Sequence, residues 1–230
     1  MKISKYLHSC ILIEHEGERL LFDPGKFTFA EELVKPSDFK DLNYVLITHT
    51  HPDHLDEENL KLILEKNPDA KVIGNSEVRD QLAKISIPVI LFEKGSDAFG
   101  SFELIAIPTE HEDILAENIP QHTSICINDS ILNTADSLSD KLMEFKNIEL
   151  LIMPIMGPFL TELEAFRFVK ELSPKQLLGV HDGYAKSFFL DSRYETWGKF
   201  LRKENIQFYG FKKPGETLNI SSGQHSKSNS

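Results

Sequence analysis

Residues 48–54 read Thr-His-Thr-His-Pro-Asp-His, so three histidines and one aspartate fall within seven positions. In an extended segment, side chains two positions apart point the same way, which lets His49 and His51 reach one metal ion together. The proline permits a bend, beyond which Asp53 and His54 face a second point nearby. Imidazole nitrogens and a carboxylate suit a borderline divalent ion such as zinc. The alternative is a polar surface loop, and the density of ligand-type residues makes it the weaker interpretation.

The other histidines are scattered along the chain, and two of them follow strand-like runs. The run at 102–108 leads through Thr109 and Glu110 into His111, and His181 directly follows a later run. His122 lies eleven residues beyond His111 and precedes a strand instead, so both stay candidates, with His111 the better placed. Asp136 follows a short strand-like run, and by itself it is typical of a turn.

The elements around the histidine-rich stretch explain how it is held. Residues 44–48, Tyr-Val-Leu-Ile-Thr, predict a short buried strand that runs directly into the stretch. Residues 55–68 show helical spacing of leucine and isoleucine, with acidic residues in the first turn, where the helix dipole favours them. A loop at the carboxyl end of a buried strand is a common place for sites in layered α/β folds.

The rest of the chain alternates between strand-like and helix-like segments. Gly17 predicts a hairpin turn between the runs at 2–15 and 18–25. Further strands are predicted at 71–75, 87–92, 102–108, 123–129, 130–136, 148–154, 175–180, 206–211 and 217–220. Further helices are predicted at 76–84, 137–145, 161–172 and 192–205, the third with Leu163, Phe166, Val169 and Leu172 on one stripe. The pattern indicates one α/β domain with two sheets and covering helices, spanning 1–220.

Composition narrows the setting of the protein. The 230 residues carry a formal net charge of −11, which disfavours nucleic acid as a partner. The N-terminal apolar run is interrupted by polar residues, and no apolar run has the length of a membrane span, so neither a signal peptide nor a membrane partner is expected. Cys10 and Cys126 are expected to be buried free thiols. Free thiols are typical of a reducing compartment, so a cytoplasmic protein is expected. Residues 221–230 have no apolar anchor and predict a disordered tail.

The stretch at 48–54 resembles the H-x-H-x-D-H signature of the metallo-β-lactamase superfamily. The resemblance extends, in the expected order, to Asp23-Pro24, to His111, to Asp136 and to His181. It covers residues 8 to about 181 and implies a single-domain, four-layer αββα sandwich. One departure is the neighbourhood of the aspartate, where alanine and serine replace the usual glycine and threonine of Gly-Asp-Thr.

The resemblance implies a two-metal site. It assigns His49, His51 and His111 to a first ion, Asp53, His54 and His181 to a second, and Asp136 to both, with Asp53 and Asp136 as the catalytic carboxylates. The implied cofactors are two divalent ions, with zinc favoured and manganese or iron accepted by the same ligands. Asp23 is expected to orient a ligand histidine or to be a turn carboxylate. His8 is expected to line the pocket or to have only a structural role.

The implied reaction is hydrolysis by a metal-bridging hydroxide of an ester-like bond, in a lactone or phosphoester of a small anionic metabolite. The runs Leu-His-Ser-Cys and Lys-Pro-Gly-Glu-Thr-Leu-Asn-Ile are similar to a lactonase-like branch that includes ascorbate-6-phosphate lactonase-like enzymes. A secreted lactamase is disfavoured because no export signal is seen. A flavodiiron enzyme is disfavoured because it would have a glutamate at the second position of the motif, where this chain has His51. A tRNA-processing nuclease would need a basic arm to hold RNA, and the sequence offers no candidate for one. The alternative from another class is a non-catalytic metal-binding or regulatory protein.

Overall fold

A computed structural model describes residues 1–221 and contains two seven-stranded sheets. In chain order the strands are β1 (Lys2–Lys5), β2 (Ile11–His15), β3 (Glu18–Phe22), β4 (Tyr44–Ile47), β5 (Lys71–Gly74), β6 (Val89–Leu91), β7 (Gly95–Phe99), β8 (Phe102–Thr109), β9 (His122–Ile127), β10 (Ile131–Asn133), β11 (Leu150–Pro154), β12 (Gln176–Val180), β13 (Gln207–Tyr209) and β14 (Glu216–Asn219). The first sheet has the order β14-β1-β2-β3-β4-β5-β6, and the second has the order β13-β12-β11-β10-β9-β8-β7.

Each sheet combines an antiparallel part with a parallel part. Strands β3 to β6 run parallel in the first sheet, and β10 to β13 run parallel in the second. Parallel strands are covered on both faces, which explains why their sequences are continuous apolar runs instead of alternating ones. Their carboxyl ends lie along one edge of each sheet, and the loops that leave these ends carry the candidate site residues.

The helices form the two outer layers. They are α1 (Lys26–Phe29), α2 (Glu57–Lys66), α3 (Ser76–Ala83), α4 (Glu162–Leu172) and α5 (Ser187–Leu201). One apolar cluster fills the space between the sheets. A second packs α4 and α5 on the outer face of the second sheet, and a third packs α2 and α3 on the first. The predicted αββα sandwich in a single domain is therefore confirmed.

Helix ends follow ordinary capping chemistry. The Asp56 side chain accepts hydrogen bonds from two backbone N–H groups at the start of α2, and Asn75 caps α3 through Val78. Thr161 and Glu164 form a reciprocal capping box at α4. These caps fix where each helix leaves the loop that follows a strand.

Several element predictions need correction. Residues 140–145 form a 3₁₀ helix where an α-helix was predicted, and α5 begins five residues earlier than expected. Leu163 is 67% exposed, because the buried stripe of α4 is formed by Ala165, Phe168, Val169 and Leu172 instead. The strand β7 was missed because its sequence, Gly-Ser-Asp-Ala-Phe, has little apolar character. It is a mostly exposed edge strand.

The predicted first strand divides into β1 and β2, which pair antiparallel with each other. The intervening turn places His8 at φ 58°, a left-handed conformation that uninterrupted strand geometry excludes. Gly17, at φ 86°, forms the predicted turn between β2 and β3. Dividing the run in two is what brings His8 to the edge of the sheet where the parallel strands end.

Both cysteines are free and buried, as predicted. Within residues 1–221, no helix combines the length and the apolar character that crossing a membrane requires. The predicted tail at 221–230 lies, apart from its first residue, outside the described residues, and the domain boundary at 220 stays a prediction.

Candidate metal centre

The predicted site residues converge at the ends of five strands. Asp23 directly follows β3, and the stretch at 48–54 directly follows β4 in the same sheet. In the other sheet, His111 lies after β8, Asp136 after β10 and His181 directly after β12. The carboxyl ends of parallel strands in a sheet share one edge, and the two sheets face each other there. Residues more than a hundred positions apart in sequence thus come together.

Two groups of potential metal ligands result, each with its ligand atoms within 4.8 Å of one another. The first group contains His49, His51, His111 and Asp136. The second group contains His8, Asp53, His54 and His181. The histidines and Asp53 divide between the groups as predicted for two ions; His8 is an addition to the second group, and Asp136, predicted for both ions, is in the first group only. The roles of these residues as ligands stay predictions, and the distances place each one within reach of a shared ion.

Asp136 lies between the two groups. Its Oδ2 is 3.4 Å from His111 Nε2 and 3.8 Å from His49 Nε2 in the first group. The same oxygen is 3.2 Å from the Nε2 atoms of both His54 and His181 in the second. A single carboxylate oxygen thus contacts both groups, which is the position that a bridging ligand occupies.

Four histidines share one hydrogen-bonding pattern that fixes their tautomer. Each donates from Nδ1: His49 to Thr48 Oγ1 at 3.1 Å, His54 to Asp23 Oδ2 at 3.0 Å, His111 to the Glu112 carbonyl at 2.6 Å and His181 to the Met156 carbonyl at 2.9 Å. With Nδ1 engaged, Nε2 of each ring is the atom that faces the site. Ligand histidines in metalloproteins are oriented in this way by a partner on the far nitrogen.

The donor set fits metal ions. The Nε2 atoms of His54, His111 and His181, and Oδ1 of Asp136, are buried and make no hydrogen bond within the described chain. Buried polar atoms ordinarily have partners, so four without one at the same place call for a ligand. His49 Nε2 and His51 Nδ1 are 3.1 Å apart. Two nitrogens bound to one tetrahedral zinc at its usual bond length lie about 3.3 Å apart, so this spacing suits a shared ion.

The charges of the site also favour cations. Burial alone would raise the pKa of Asp136, but the neighbouring charges of His181 and His54 hold it well below its usual value. Burial alone would lower the pKa of His181, but Asp136 raises it to about 9. Buried Asp136 and half-buried Asp53, whose Oδ2 atoms lie 3.2 and 3.3 Å from His181 Nε2, therefore favour a proton on His181. A metal ion bound there would supply the positive charge instead, and metal binding displaces such protons.

Asp23 connects the loop that follows β3 with the loop that follows β4. Its Oδ1 accepts from the Thr48 backbone N–H at 2.8 Å, and its Oδ2 accepts from the Thr48 hydroxyl at 2.8 Å as well as from His54. Because this hydroxyl donates to Asp23, its oxygen is the acceptor for His49. One buried carboxylate consequently orients a histidine in each metal group, the arrangement expected of an orienting residue and more than a turn requires.

His8 differs from the other histidines in its hydrogen bonds. Its Nδ1 accepts from the Gly183 backbone N–H at 3.1 Å, and its Nε2 lies 3.0 Å from Asp53 Oδ2. Burial and the charge of His181 lower the pKa of His8 to about 4, so the ring is neutral near pH 7. A neutral imidazole whose Nδ1 is an acceptor must carry its proton on Nε2. His8 therefore donates to Asp53 and holds this carboxylate in place, whereas it has no lone pair for a metal.

His122 lies beside the first group but has no free nitrogen. Its Nε2 accepts from the Asp136 backbone N–H at 3.0 Å, and its Nδ1 donates to Thr109 Oγ1 at 2.8 Å. The chain of donors continues through Ser124 Oγ to the Thr134 carbonyl. Burial lowers the pKa of His122 to about 3, which keeps it neutral. Of the two candidates, His111 presents a ligand atom to the site, and His122 fixes the backbone of Asp136.

Four positions of the site have a strained backbone. Non-glycine residues at positive φ include His8 (58°), Asp23 (45°), Ala135 (44°) and His181 (66°). Such conformations cost of order 1–3 kcal/mol each and persist where the surrounding contacts determine them. The value at Ala135 explains why glycine is usual at this position in the superfamily motif.

Gly25, in the turn after Asp23, was not predicted as a site residue. A Cβ at Gly25 would lie 1.9 Å from the Asp53 carbonyl oxygen, so only glycine permits this approach. The signal in the sequence was the Asp-Pro-Gly turn itself. Lys5 gave no signal at all, although its ammonium group is buried against Asp182, next to His181.

An αββα sandwich with paired His/Asp groups at its strand ends is the architecture of a metallo-hydrolase. The chain belongs to the beta-lactamase superfamily, since the family model described as "Beta-lactamase superfamily domain" matches residues 2–181. The predicted superfamily is therefore confirmed, and the narrower lactonase-like branch stays a prediction.

Individual proteins agree with this assignment. Protein Rv0786c of Mycobacterium tuberculosis is 28% identical over 219 residues, covering 90% of this chain and 95% of its own. A UPF0173 metal-dependent hydrolase of Methylacidiphilum infernorum is 27% identical over 225 residues, with the same coverage. Among solved structures, Igni18, a metallo hydrolase from the archaeon Ignicoccus hospitalis, superimposes with a TM-score of 0.68 at 18% identity, covering 96% of this chain and 99% of that chain.

Proposed function

We propose that the protein is a hydrolase that holds two divalent metal ions, with zinc as the expected ion, and cleaves an ester-like bond in a lactone or phosphoester of an anionic metabolite. The observation that carries the proposal is the contact of one Asp136 oxygen with unpartnered Nε2 atoms of both ligand groups. Two relatives that this chain matches over most of their length are named as metal-dependent hydrolases, which supports the reaction class.

Bound metal ions at these two groups would supply an activated water near neutral pH and stabilise charge that develops on the substrate oxygen. The residues of the chain keep this arrangement rigid. Asp23 orients a histidine of each group, His8 holds Asp53, and His122 holds the backbone of Asp136. Because these supporting groups are buried and hydrogen-bonded, the ligand atoms need little reorganisation when ions bind.

Two lysines support the choice of an anionic substrate. Lys26 and Lys186 both line the cavity above the metal groups. Within residues 1–221 neither lies within 4.0 Å of a carboxylate oxygen. In a chain of net charge −11, unpaired cations at the site provide a local attraction for anions.

The test is elemental analysis of protein purified without chelator, followed by assays of zinc- and manganese-loaded protein on bis(4-nitrophenyl) phosphate and a lactone panel. We expect two ions per chain and turnover that Asp136→Asn abolishes. The control is His15→Ala, because His15 lies at the end of β2 outside both ligand groups. Two bound ions without turnover of any substrate would instead favour a non-catalytic metal-binding protein.

A further inference from the structure

The metal groups lie at the base of an open cavity of about 930 Å³. His51, Asp53, His111, Asp136 and His181 contribute to its lining. This volume is near the upper end of the range for sites that take small molecules, which is roughly 300–1,000 Å³. The space is much larger than a bond and its immediate substituents require, so most of it is available to a part of the substrate that does not react.

The walls of this cavity are aromatic and apolar. Of the five Phe, Tyr and Trp side chains that are most exposed within residues 1–221, four line the cavity; these are Phe27, Tyr184, Phe188 and Phe189. Phe188 is 72% exposed although it lies in the first turn of α5. Aromatic surface left in water is costly, and its concentration around one opening indicates a surface that a ligand covers.

A fifth aromatic ring reaches the metal groups themselves. The Phe159 ring centroid is 5.4 Å from that of His111 and 5.1 Å from that of His181, so it spans the first and the second group. A Cβ at Gly157 would lie 2.8 Å from this ring, so a larger residue at 157 would displace the Phe159 ring from its present position. The apolar wall therefore continues from the mouth of the cavity down to the reacting position.

Apart from the site aspartates, the charged side chains that line the cavity are all cationic. Besides Asp53 and Asp136, the charged lining residues are Lys26, Lys186 and Arg193. Arg193 is 2.5 Å from Glu162, which offsets its charge, and the two lysines are left for an external anion. The cavity thus offers apolar walls and a cationic rim together.

We infer that the substrate is an amphipathic anion, an ester-like compound with one anionic group and a bulky apolar part, either an acyl chain of medium length or an aromatic ring system. This inference rests on the proposed hydrolase function and names its substrate class. Hydrolysis adds one water across the ester-like bond: a lactone opens to a single hydroxy acid, and an open ester or phosphoester yields an acid and an alcohol, one of which carries the apolar part. The apolar part lies against Phe159, Phe188 and Phe189, and the anionic group lies near the lysines.

Binding is tested first, without turnover, on metal-free and zinc-loaded protein. The probes are 1-anilinonaphthalene-8-sulfonate, which is apolar and anionic, and N-phenyl-1-naphthylamine, its uncharged counterpart. We expect saturable one-to-one binding of both, with the anion binding more tightly. Phe188→Ser/Phe189→Ser should weaken both by about tenfold, and Lys26→Gln/Lys186→Gln should remove the preference for the anion.

The matched control is Phe200→Ser in the same helix. Phe200 is 44% exposed and Phe189 43%, and each ring lies beneath a cation, Lys203 and Arg193 respectively. Only Phe189 lines the cavity. Equal loss of dye affinity in the Phe200 variant, or no loss in the double variant, would overturn the inference.

Turnover is tested second, on 4-nitrophenyl butyrate and octanoate with metal-loaded protein. We expect kcat/KM to rise about tenfold or more from butyrate to octanoate, since each added methylene can be buried against the aromatic wall. The rise should be lost in Phe188→Ser/Phe189→Ser and kept in Phe200→Ser. Hydrolysis with no dependence on chain length, together with unchanged dye affinity in Phe188→Ser/Phe189→Ser, would contradict the substrate class and leave the hydrolase function standing. Absence of all turnover in protein that still binds the dyes would contradict the hydrolase function alone.

Discussion

The ammonium group of Lys5 is paired with the Asp182 carboxylate, and both side chains are almost completely buried, at 1% and 4%. Tyr194 donates its hydroxyl proton to the same carboxylate, and Phe211 offers its carbonyl to both Lys5 and Tyr194. Asp182 directly follows His181, so strand β1, helix α5 and the C-terminal segment meet at one metal-group histidine.

This pair predicts a strong effect of Lys5→Met. The variant leaves the Asp182 carboxylate buried without its cation, which should lower the free energy of unfolding by about 3–5 kcal/mol. Urea denaturation measures the change. Lys2→Met is the control, because Lys2 pairs with Glu14 at the surface, where such pairs contribute about 0–1 kcal/mol. Similar losses in both variants would show that the buried pair has no special weight.

His8→Ala should weaken metal binding selectively. Asp53 loses the hydrogen bond that holds its Oδ2, and loss of such a supporting group typically reduces metal affinity about 10–100-fold. Competition with a chromophoric chelator should show one weakened ion per chain and one unchanged. His15→Ala should match the wild-type protein at both ions. Unchanged affinities in His8→Ala would mean that Asp53 does not need His8.

Comparison of His111→Ala with His122→Ala should show which histidine binds a metal ion and which one only holds the backbone of Asp136. His111→Ala removes an unpartnered Nε2, and we expect elemental analysis to find one ion fewer per chain. His122→Ala should retain both ions but lower the free energy of unfolding by about 1–3 kcal/mol, because the buried Asp136 N–H loses its acceptor. The reverse pattern of metal loss would assign His122 as the ligand.

Ala135→Gly should stabilise the protein. Ala135 has a φ of 44°, where a Cβ costs roughly 1–2 kcal/mol and glycine has no such cost, so we expect a net gain of about 0.5 kcal/mol after the greater entropy of glycine in the unfolded chain is subtracted. Thermal and urea unfolding measure the gain. Ala83→Gly, at the exposed last residue of helix α3, relieves no positive φ and should leave the free energy of unfolding unchanged or slightly lower. If both substitutions raised the free energy of unfolding, or both lowered it to the same extent, the role of the positive φ would be contradicted.

Both cysteines should be unreactive in the folded protein. Burial raises the pKa of Cys126 to about 12 and raises that of Cys10 as well, so neither forms the reactive thiolate near pH 8. Ellman's reagent should titrate no thiol in the native protein and two in guanidinium chloride. Rapid reaction of one thiol under native conditions would contradict its burial.

Much of the fold could be predicted because its signals are local. Apolar runs such as 44–48 and 148–154 are buried on both faces, and helical spacing marks α2 and α4. The predictions failed where local signals are weak or misleading. Strand β7 is nearly all exposed, and Leu163 suits a helical stripe by its spacing but lies on the outer face of α4.

For the site, the sequence by itself determined the types of the candidate ligands, their order and their predicted division within the stretch at 48–54, since residues a few positions apart constrain one another. The tertiary structure decided which nitrogen atoms are free. The bond between His8 and Asp53 joins residues 45 positions apart, and the Lys5–Asp182 pair joins residues 177 positions apart. No spacing rule reaches across such separations, because the contact depends on how two whole sheets pack. The cavity walls depend in the same way on α5 and the loop of Phe159 closing over strand ends of both sheets.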